Sequence, residues 1–180
     1  MKSKLIIIIT IGIIIVVGYF FIFRSGAFFV ADEDSVIVMK PSTAWFSETS
    51  RIYKNLLFHF SVVYPDNLEA KEYDDGTSAS TITFEDLTRK QAFQIFIVPY
   101  VGNEVTPEQF KKDVPSGIRK EPVDVIIGGE RATIFFSEDV IGNKTREVWF
   151  IKDGFLYEIS TRAELDTWLA QILSTWRFDL

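Results

Sequence analysis

Residues 5–23 constrain this chain more than any other stretch: LIIIITIGIIIVVGYFFIF runs 19 residues without a charge, broken only by Thr10 and two glycines. As an α-helix the run would be roughly 28 Å long, about the thickness of a bilayer's hydrocarbon core. Lipid offers no partners to backbone N–H and C=O groups, so the segment must satisfy them internally and is expected to be a transmembrane helix despite its many β-branched isoleucines. Tyr19 and the phenylalanines near its end suit the interface. Lys2 and Lys4 precede the run, whereas Arg24 alone and then Asp32-Glu33-Asp34 follow it. That bias puts the N-terminus in the cytoplasm and the rest of the chain outside. A cleaved signal peptide is the competing reading, because Ser25-Gly26-Ala27 offers the small residues that a peptidase prefers. Signal-peptide apolar cores usually run about 7 to 15 residues, so the length favours a retained signal-anchor.

The charge is as unevenly distributed as the hydropathy. All 25 acidic residues lie at or after Asp32 and three of the 19 basic ones precede it, which leaves residues 32–180 with sixteen cations and a net charge of −9. Such a surface should repel nucleic acid and anionic lipid headgroups, so no nucleic-acid partner is expected. The absence of cysteine excludes structural disulfides, thiolate metal sites, a cysteine nucleophile and a lipid-modified cysteine tether.

The division that follows is a cytoplasmic stub at 1–4, the membrane span at 5–23, a linker or stalk at 24–56 and one extracytoplasmic domain at 57–180. Residues 32–55 mix proline, serine, threonine and charges without a sustained period of 2 or 3.6. Trp45-Phe46 are too apolar for a pure spacer and are expected to dock on the domain or lie near a partner. In the domain, Phe58, Phe60, Val62 and Tyr64 alternate as a strand that Pro65 stops. Further strands are expected at 68–73, 81–84 and 92–98, all antiparallel. Thr106-Pro107-Glu108-Gln109 combines an N-cap threonine, a proline at the first helical position and a capping-box glutamine, which opens a short helix before Pro115. A four-strand meander then reads at 123–127, 131–138, 146–152 and 155–161, with Gly128-Gly129 and Asp153-Gly154 as two-residue hairpin turns. Ile134, Phe135 and Phe136 are consecutive, as are Trp149, Phe150 and Ile151, so both faces of the sheet need covering. Leu165, Trp168, Leu169, Ile172, Leu173 and Trp176 share one stripe at helical spacing, with Thr161 and Glu164 as its capping box, and supply one cover. The shorter helix and loops are expected to supply the other. The fold class is therefore α+β, an antiparallel sheet of hairpins packed by a C-terminal amphipathic helix and a short helix, preceded by one transmembrane helix.

Three segments together resemble a PsbP-like domain over residues 57–180: Phe58-His59-Phe60-Ser61-Val62-Val63-Tyr64-Pro65 at its start, Val125-Ile126-Ile127-Gly128-Gly129 in its middle, and Ser174-Thr175-Trp176-Arg177-Phe178 after the final strand and helix. The resemblance implies an α+β sandwich around an antiparallel sheet. Members of that fold include a photosystem II extrinsic subunit and a Ran-binding nuclear transport factor, which work by binding partner proteins, so it implies no catalytic residues to carry over. The hydrophobic anchor and the unrelated stalk depart from the photosynthetic members, and a role in photosynthesis does not follow.

Few residues invite a chemical reading. His59, the only histidine, shares a strand face with Ser61 by alternation, but α-carbons two apart on a strand lie roughly 6.5 Å apart with parallel side chains, which places the imidazole poorly for the seryl proton. No G-x-S-x-G elbow is present. The pairs Asp74-Asp75, Glu85-Asp86 and Glu138-Asp139 fall at turns, where short acids bond the local backbone, and none follows the spacing of a calcium loop. Gly128-Gly129 opens no helix and so lacks the helix N-terminus of a phosphate loop. Asn143-Lys144-Thr145 matches a glycosylation sequon and reads as a polar loop. The tryptophans read as core. No catalytic, cofactor-binding or metal residue is assigned and no cofactor is expected.

What remains is a membrane-anchored extracytoplasmic module for protein binding or scaffolding, held to the bilayer through residues 5–23 and meeting an envelope protein partner. Two alternatives stay open: a tethered enzyme with a site gathering His59 and a carboxylate, and a self-associating envelope protein.

Overall fold

Alternation and turn chemistry together dictate a sheet of long hairpins, and the computed structural model has one. It describes residues 37–38, 49–74, 76 and 78–178, with the side chains of 37–38 left aside. The expected membrane span at 5–23, the Trp45-Phe46 pair and Asp75 lie outside the described residues. Among those described, no helix is long and apolar enough to cross a membrane.

Among the described residues, ten strands and two α-helices belong to the unit Asp34–Leu180. In chain order they are β1 (Ile37–Val38), β2 (Ser50–Asn55), β3 (Phe60–Pro65), β4 (Glu69–Asp74), β5 (Ser80–Asp86), β6 (Gln91–Pro99), α1 (Pro107–Asp113), β7 (Lys120–Ile127), β8 (Glu130–Glu138), β9 (Lys144–Lys152), β10 (Phe155–Arg162) and α2 (Asp166–Leu173). Eight of the strands form one sheet in the order β1-β7-β8-β9-β10-β6-β5-β4, and β2 pairs with β3 in a separate hairpin. All pairings are antiparallel except that of β1 with β7. The expected meander is thus β7 to β10, and a second meander, β4 to β6, joins it through β6 and β10. The chain between β6 and β7 carries α1.

β4, at one edge of the sheet, and β7, next to the two-residue edge strand β1, differ from the centre. β4 presents Glu69, Glu72 and Asp74 exposed, with Lys71 bonded to Glu85 at 2.7 Å. β7 begins with an irregular register between Lys120 and Val123, where Pro122 stands and Glu121 has φ 51°.

Both faces are covered. On one, Phe84, Phe93, Ile95, Ile97, Val148, Phe150, Tyr157 and Ile159 pack with Phe60, Val62 and Tyr64 of β3 and with Trp168, Leu169, Ile172 and Leu173 of α2. On the other, Phe135, Trp149 and Leu156 meet Val114, Phe110, Tyr100 and Val105 from the α1 segment. The structure is α+β with three layers, α1 on one side of the sheet and the β2–β3 hairpin with α2 on the other.

Several expectations about local structure fail for definable reasons. The strand expected from residue 57 starts at Phe60, because Leu56 to His59 form the hairpin turn, with Asn55 Oδ1 accepting from the backbone of Leu57 (3.1 Å) and Phe58 (3.0 Å). Ser50–Asn55, read as the end of the stalk, is β2; its outward positions are exposed, so its sequence lacks a strong apolar alternation. The stripe through Trp176 is not one helix. A 3₁₀ turn at Ala163–Leu165 precedes α2, Ser174 caps it, and Trp176 lies in the extended tail, where Arg177 exchanges backbone hydrogen bonds with Ser61 at 2.8 and 3.0 Å. The Thr161–Glu164 capping box does not form, because Thr161 is still in β10 and its hydroxyl donates to the carbonyl of Ala92 at 2.6 Å. The α1 box is half made: Thr106 Oγ1 accepts from the Gln109 amide at 3.1 Å, while the Gln109 side chain bonds Asp113 and the Thr106 amide donates to Tyr100 Oη at 3.0 Å.

Trp176 is fully buried. It stacks on Phe60 at 4.3 Å and 10° and meets Phe150 edge-on at 5.7 Å. Its neighbour across the core is the β7–β8 turn, where Gly128 and Gly129 have φ 57° and 92°, conformations that glycine adopts without penalty. A Cβ on Gly128 would stand 2.8 Å from Trp176 Cδ1 and 3.0 Å from Phe178 Cδ2, whereas one on Gly129 would meet nothing within 4 Å. Both substitutions to alanine suffer the backbone penalty and only the first adds overpacking. Gly128→Ala is therefore expected to lose roughly 1 to 3 kcal/mol more stability than Gly129→Ala in urea denaturation. Equal losses would show that the tail does not pack against this turn as described.

Candidate functional site

The residues singled out by sequence do not converge. His59 lies exposed in the β2–β3 turn with φ 52°, and among the described residues it makes no hydrogen bond or ion pair with Ser61 or any carboxylate. Ser61 uses its backbone to pair with Arg177. The acids at turns do turn chemistry. Asp74 accepts from the Gly76 amide at 2.8 Å. Asp86 accepts from Thr88 and Arg89 at 2.9 and 3.1 Å and from the Asn67 side chain at 2.9 Å. Asp139 accepts from Ile141 and Asn143 at 2.9 and 2.8 Å, and its other oxygen takes the Asn143 side-chain amide at 2.8 Å. Asn143 of the sequon is thus part of this turn, and Thr145 is buried. Among the described residues no three histidine or acid side chains are grouped to hold a metal. Trp149, Trp168 and Trp176 are core, as their sequence reading has it.

The site that stands out instead was not read from sequence. Along β9, Val148 and Phe150 point into the larger core, so Thr145, Glu147 and Trp149 face the layer under α1. On β10, Leu156 and Glu158 face the same way. The register sets Glu158 opposite Trp149 and Ser160 opposite Glu147, which makes the two glutamates diagonal neighbours on adjacent strands. Across β9, Phe135 stands opposite Glu147 and Ser137 opposite Thr145. α1 closes over this patch through Phe110, whose ring lies 5.7 Å from Phe135 and 5.5 Å from Trp149.

Two acids in one half-apolar layer are electrostatically strained. Burial pushes the Glu158 carboxyl up to about 10, helped by the negative charge of Asp113 on α1 and by Glu147, with Lys112 working against the rise. Burial likewise lifts Glu147 to about 7, while the adjacent Thr145 and Trp149 side chains favour its charged form. Nevertheless Ser137 Oγ, Thr145 Oγ1, Trp149 Nε1 and Glu158 Oε1 are buried without a closed hydrogen bond. A signal for these two was present in the sequence: each is a single acid inside a strand whose neighbours are Val148-Trp149 or Tyr157-Ile159, on the face that the meander's own alternation marks as apolar.

Against this geometry, comparison with solved structures finds the solution structure of cyanobacterial PsbP (CyanoP) from Synechocystis sp. PCC 6803, with a TM-score of 0.50 and 12% identity over 76% of this chain and 96% of that one. The chain has a PsbP-like fold, as the three segments quoted from its sequence imply. No family model and no curated protein matches it by sequence.

The raised carboxyls fix the sign of the pH response. Each glutamate keeps its proton in the folded domain past the ordinary 4.5, so its contribution is fully present below that value and is lost as pH rises, towards about 7 for Glu147 and about 10 for Glu158. Glu158→Gln removes one of the two. It should stabilise the domain by about 1 to 3 kcal/mol at pH 8, with the gain shrinking to nothing near pH 4.5. Urea titrations of both proteins across that range read the effect, and parallel profiles would mean that Glu158 is not held neutral by the fold.

Proposed function

We propose that this chain is a membrane-anchored extracytoplasmic module that binds or scaffolds another protein, carried to the bilayer by residues 5–23 with its N-terminus in the cytoplasm. The observation that carries the reading is the PsbP-like fold, whose resemblance implies partner binding. Two features support it. The acids Asp74, Asp86 and Asp139 are engaged in turn contacts, and among the described residues His59 makes no hydrogen bond or ion pair with a carboxylate. The β2–β3 hairpin also exposes Ile52, Leu56 and Leu57, a surface with apolar area to bury on contact.

Tethering would hold such a surface at high effective concentration among envelope proteins. The test is a pull-down from detergent-solubilised native membranes with the full-length chain, alongside a chain shortened by residues 1–31. The expected outcome is one reproducible envelope protein retained by both, which places recognition in the domain. Recovery by neither would remove the binding reading, and recovery only by the full-length chain would move it to the anchor.

A further inference from the structure

The layer between α1 and the sheet holds more unmet hydrogen-bonding capacity than a structural core needs. Ser137 and Thr145 are 3% exposed, Trp149 4% and Glu158 8%, and each has a polar side-chain atom without a partner. All four fall on the same face of three adjacent strands as the half-buried Glu147. Buried polar groups are ordinarily paired, and each unmet one costs roughly 1 to 3 kcal/mol, so a cluster of them calls for a missing partner.

The chemistry of that partner can be read from the inventory. Glu158 Oε1 is an acceptor, Glu147 offers another carboxylate, and the hydroxyls of Ser137 and Thr145 can accept. Trp149 Nε1 can only donate and lies beside Glu147. The walls are aromatic, Phe110, Phe135 and Trp149. The cations near the patch are exposed or engaged elsewhere, Lys112 and Arg119 lying at the surface. Asp113 adds a third acid from α1, and Lys112 beside it is exposed. Arg131 on β8 is already taken by Asp124 of β7, and β6 contributes no titratable group from Gln94 or Phe96. A planar group with several N–H donors and a positive charge meets the demands of the acceptors: it pairs with carboxylates in a fork and stacks on aromatic faces, while Trp149 Nε1 keeps Glu147 as its acceptor. The domain shows the stacking half itself, since the Arg119 guanidinium lies 5.5 Å from the Phe135 ring centroid.

We infer that the Glu147–Glu158 patch under α1 is the acceptor site for one guanidinium group, the arginine side chain of a protein partner. This rests on the protein-binding reading and deepens it by naming the chemistry that recognition would use. Entry from the Glu147 side asks α1 to shift over the patch. The helix has no buried residue of its own, and Gly102 and Gly117 flank it in the positive-φ region, with φ of 142° and 66°. On binding, the cation displaces the carboxyl proton: the Glu158 O–H bond breaks, the proton leaves to solvent, and the carboxylate takes N–H donors in its place.

The test uses the full-length chain in detergent micelles and N-acetyl-argininamide as the probe, following the indole N–H resonance of Trp149, assigned with Trp149→Phe. Saturable movement of that resonance is expected with a dissociation constant on the order of 1 mM, ordinary for so small a fragment. Affinity should rise between pH 6 and pH 8 as the proton becomes easier to displace. Glu158→Gln, checked for folding by near-UV circular dichroism, should bind roughly tenfold more weakly. Tetramethylammonium, a cation without donors, should leave the resonance in place. A stationary indole signal, equal response to tetramethylammonium, or affinity that falls as pH rises would each overturn the site, and the last two need no variant. If the pull-down recovers a partner while this titration fails, the domain binds proteins through another surface.

Discussion

The stack of Trp176 on Phe60 holds together parts of the domain that share no strand pairing with the main sheet. The β2–β3 hairpin lies outside that sheet, and the tail after α2 is a short extended segment. Their junction is the pair of backbone hydrogen bonds between Ser61 and Arg177 and the ring contacts of Trp176 with Phe60, Phe150 and Tyr157. A buried tryptophan removes on the order of 150 to 250 Å² from water, the largest contribution any one side chain makes. Thr175 extends the junction by accepting from the Val63 amide at 2.9 Å. With the tail fixed, α2 is held at both ends, since Asp166 at its start takes Arg146 of β9 at 2.7 Å, and that guanidinium lies 4.0 Å over Phe136. An acid in the first turn of a helix also suits the helix dipole.

The long hairpins were legible because their signals are local. Two-residue turns with glycine and alternation of apolar positions place β7 to β10 within a few residues, and the run of consecutive apolar residues in β8 and β9 reports that both faces are buried. What depends on tertiary contact was not. Trp176 satisfies the helical period of the preceding residues, but nothing in that period says that the helix ends at Leu173 and that the tail turns back to pair with β3. β2 was hidden for the opposite reason, since a hairpin strand with a solvated side carries little pattern. The partially formed box at Thr106 shows the same limit, because Gln109 finds Asp113 one turn on and Tyr100, just past the end of β6, accepts from the Thr106 amide.

Glu147 and Glu158 illustrate how a candidate site can sit inside a well-formed sheet. Side-chain alternation assigns them to a face, but it is strand register, which no single strand shows, that makes them neighbours. Sequence separates them by a turn, a strand end and a strand start, while the antiparallel pairing closes that distance to one diagonal step. The polar residues around them, from β8 and β9, are assembled by the same pairing. A fold shared at 12% identity with another protein says nothing about such a cluster, which belongs to this chain's own side chains.

The outer strands carry a consequence of their own. An open sheet invites a second copy to add its strand, and a regular, apolar edge would let that addition repeat into fibres. Here β4 lines its rim with Glu69, Glu72 and Asp74, and at the opposite rim β7 breaks its own ladder at Pro122 and Glu121 before β1 pairs beside Val125 and Ile126. Among the described residues, neither β4 nor the start of β7 offers a straight, uncharged run of amides to an incoming neighbour. Along these two stretches, then, copies of the domain can crowd together without their sheets growing into one another.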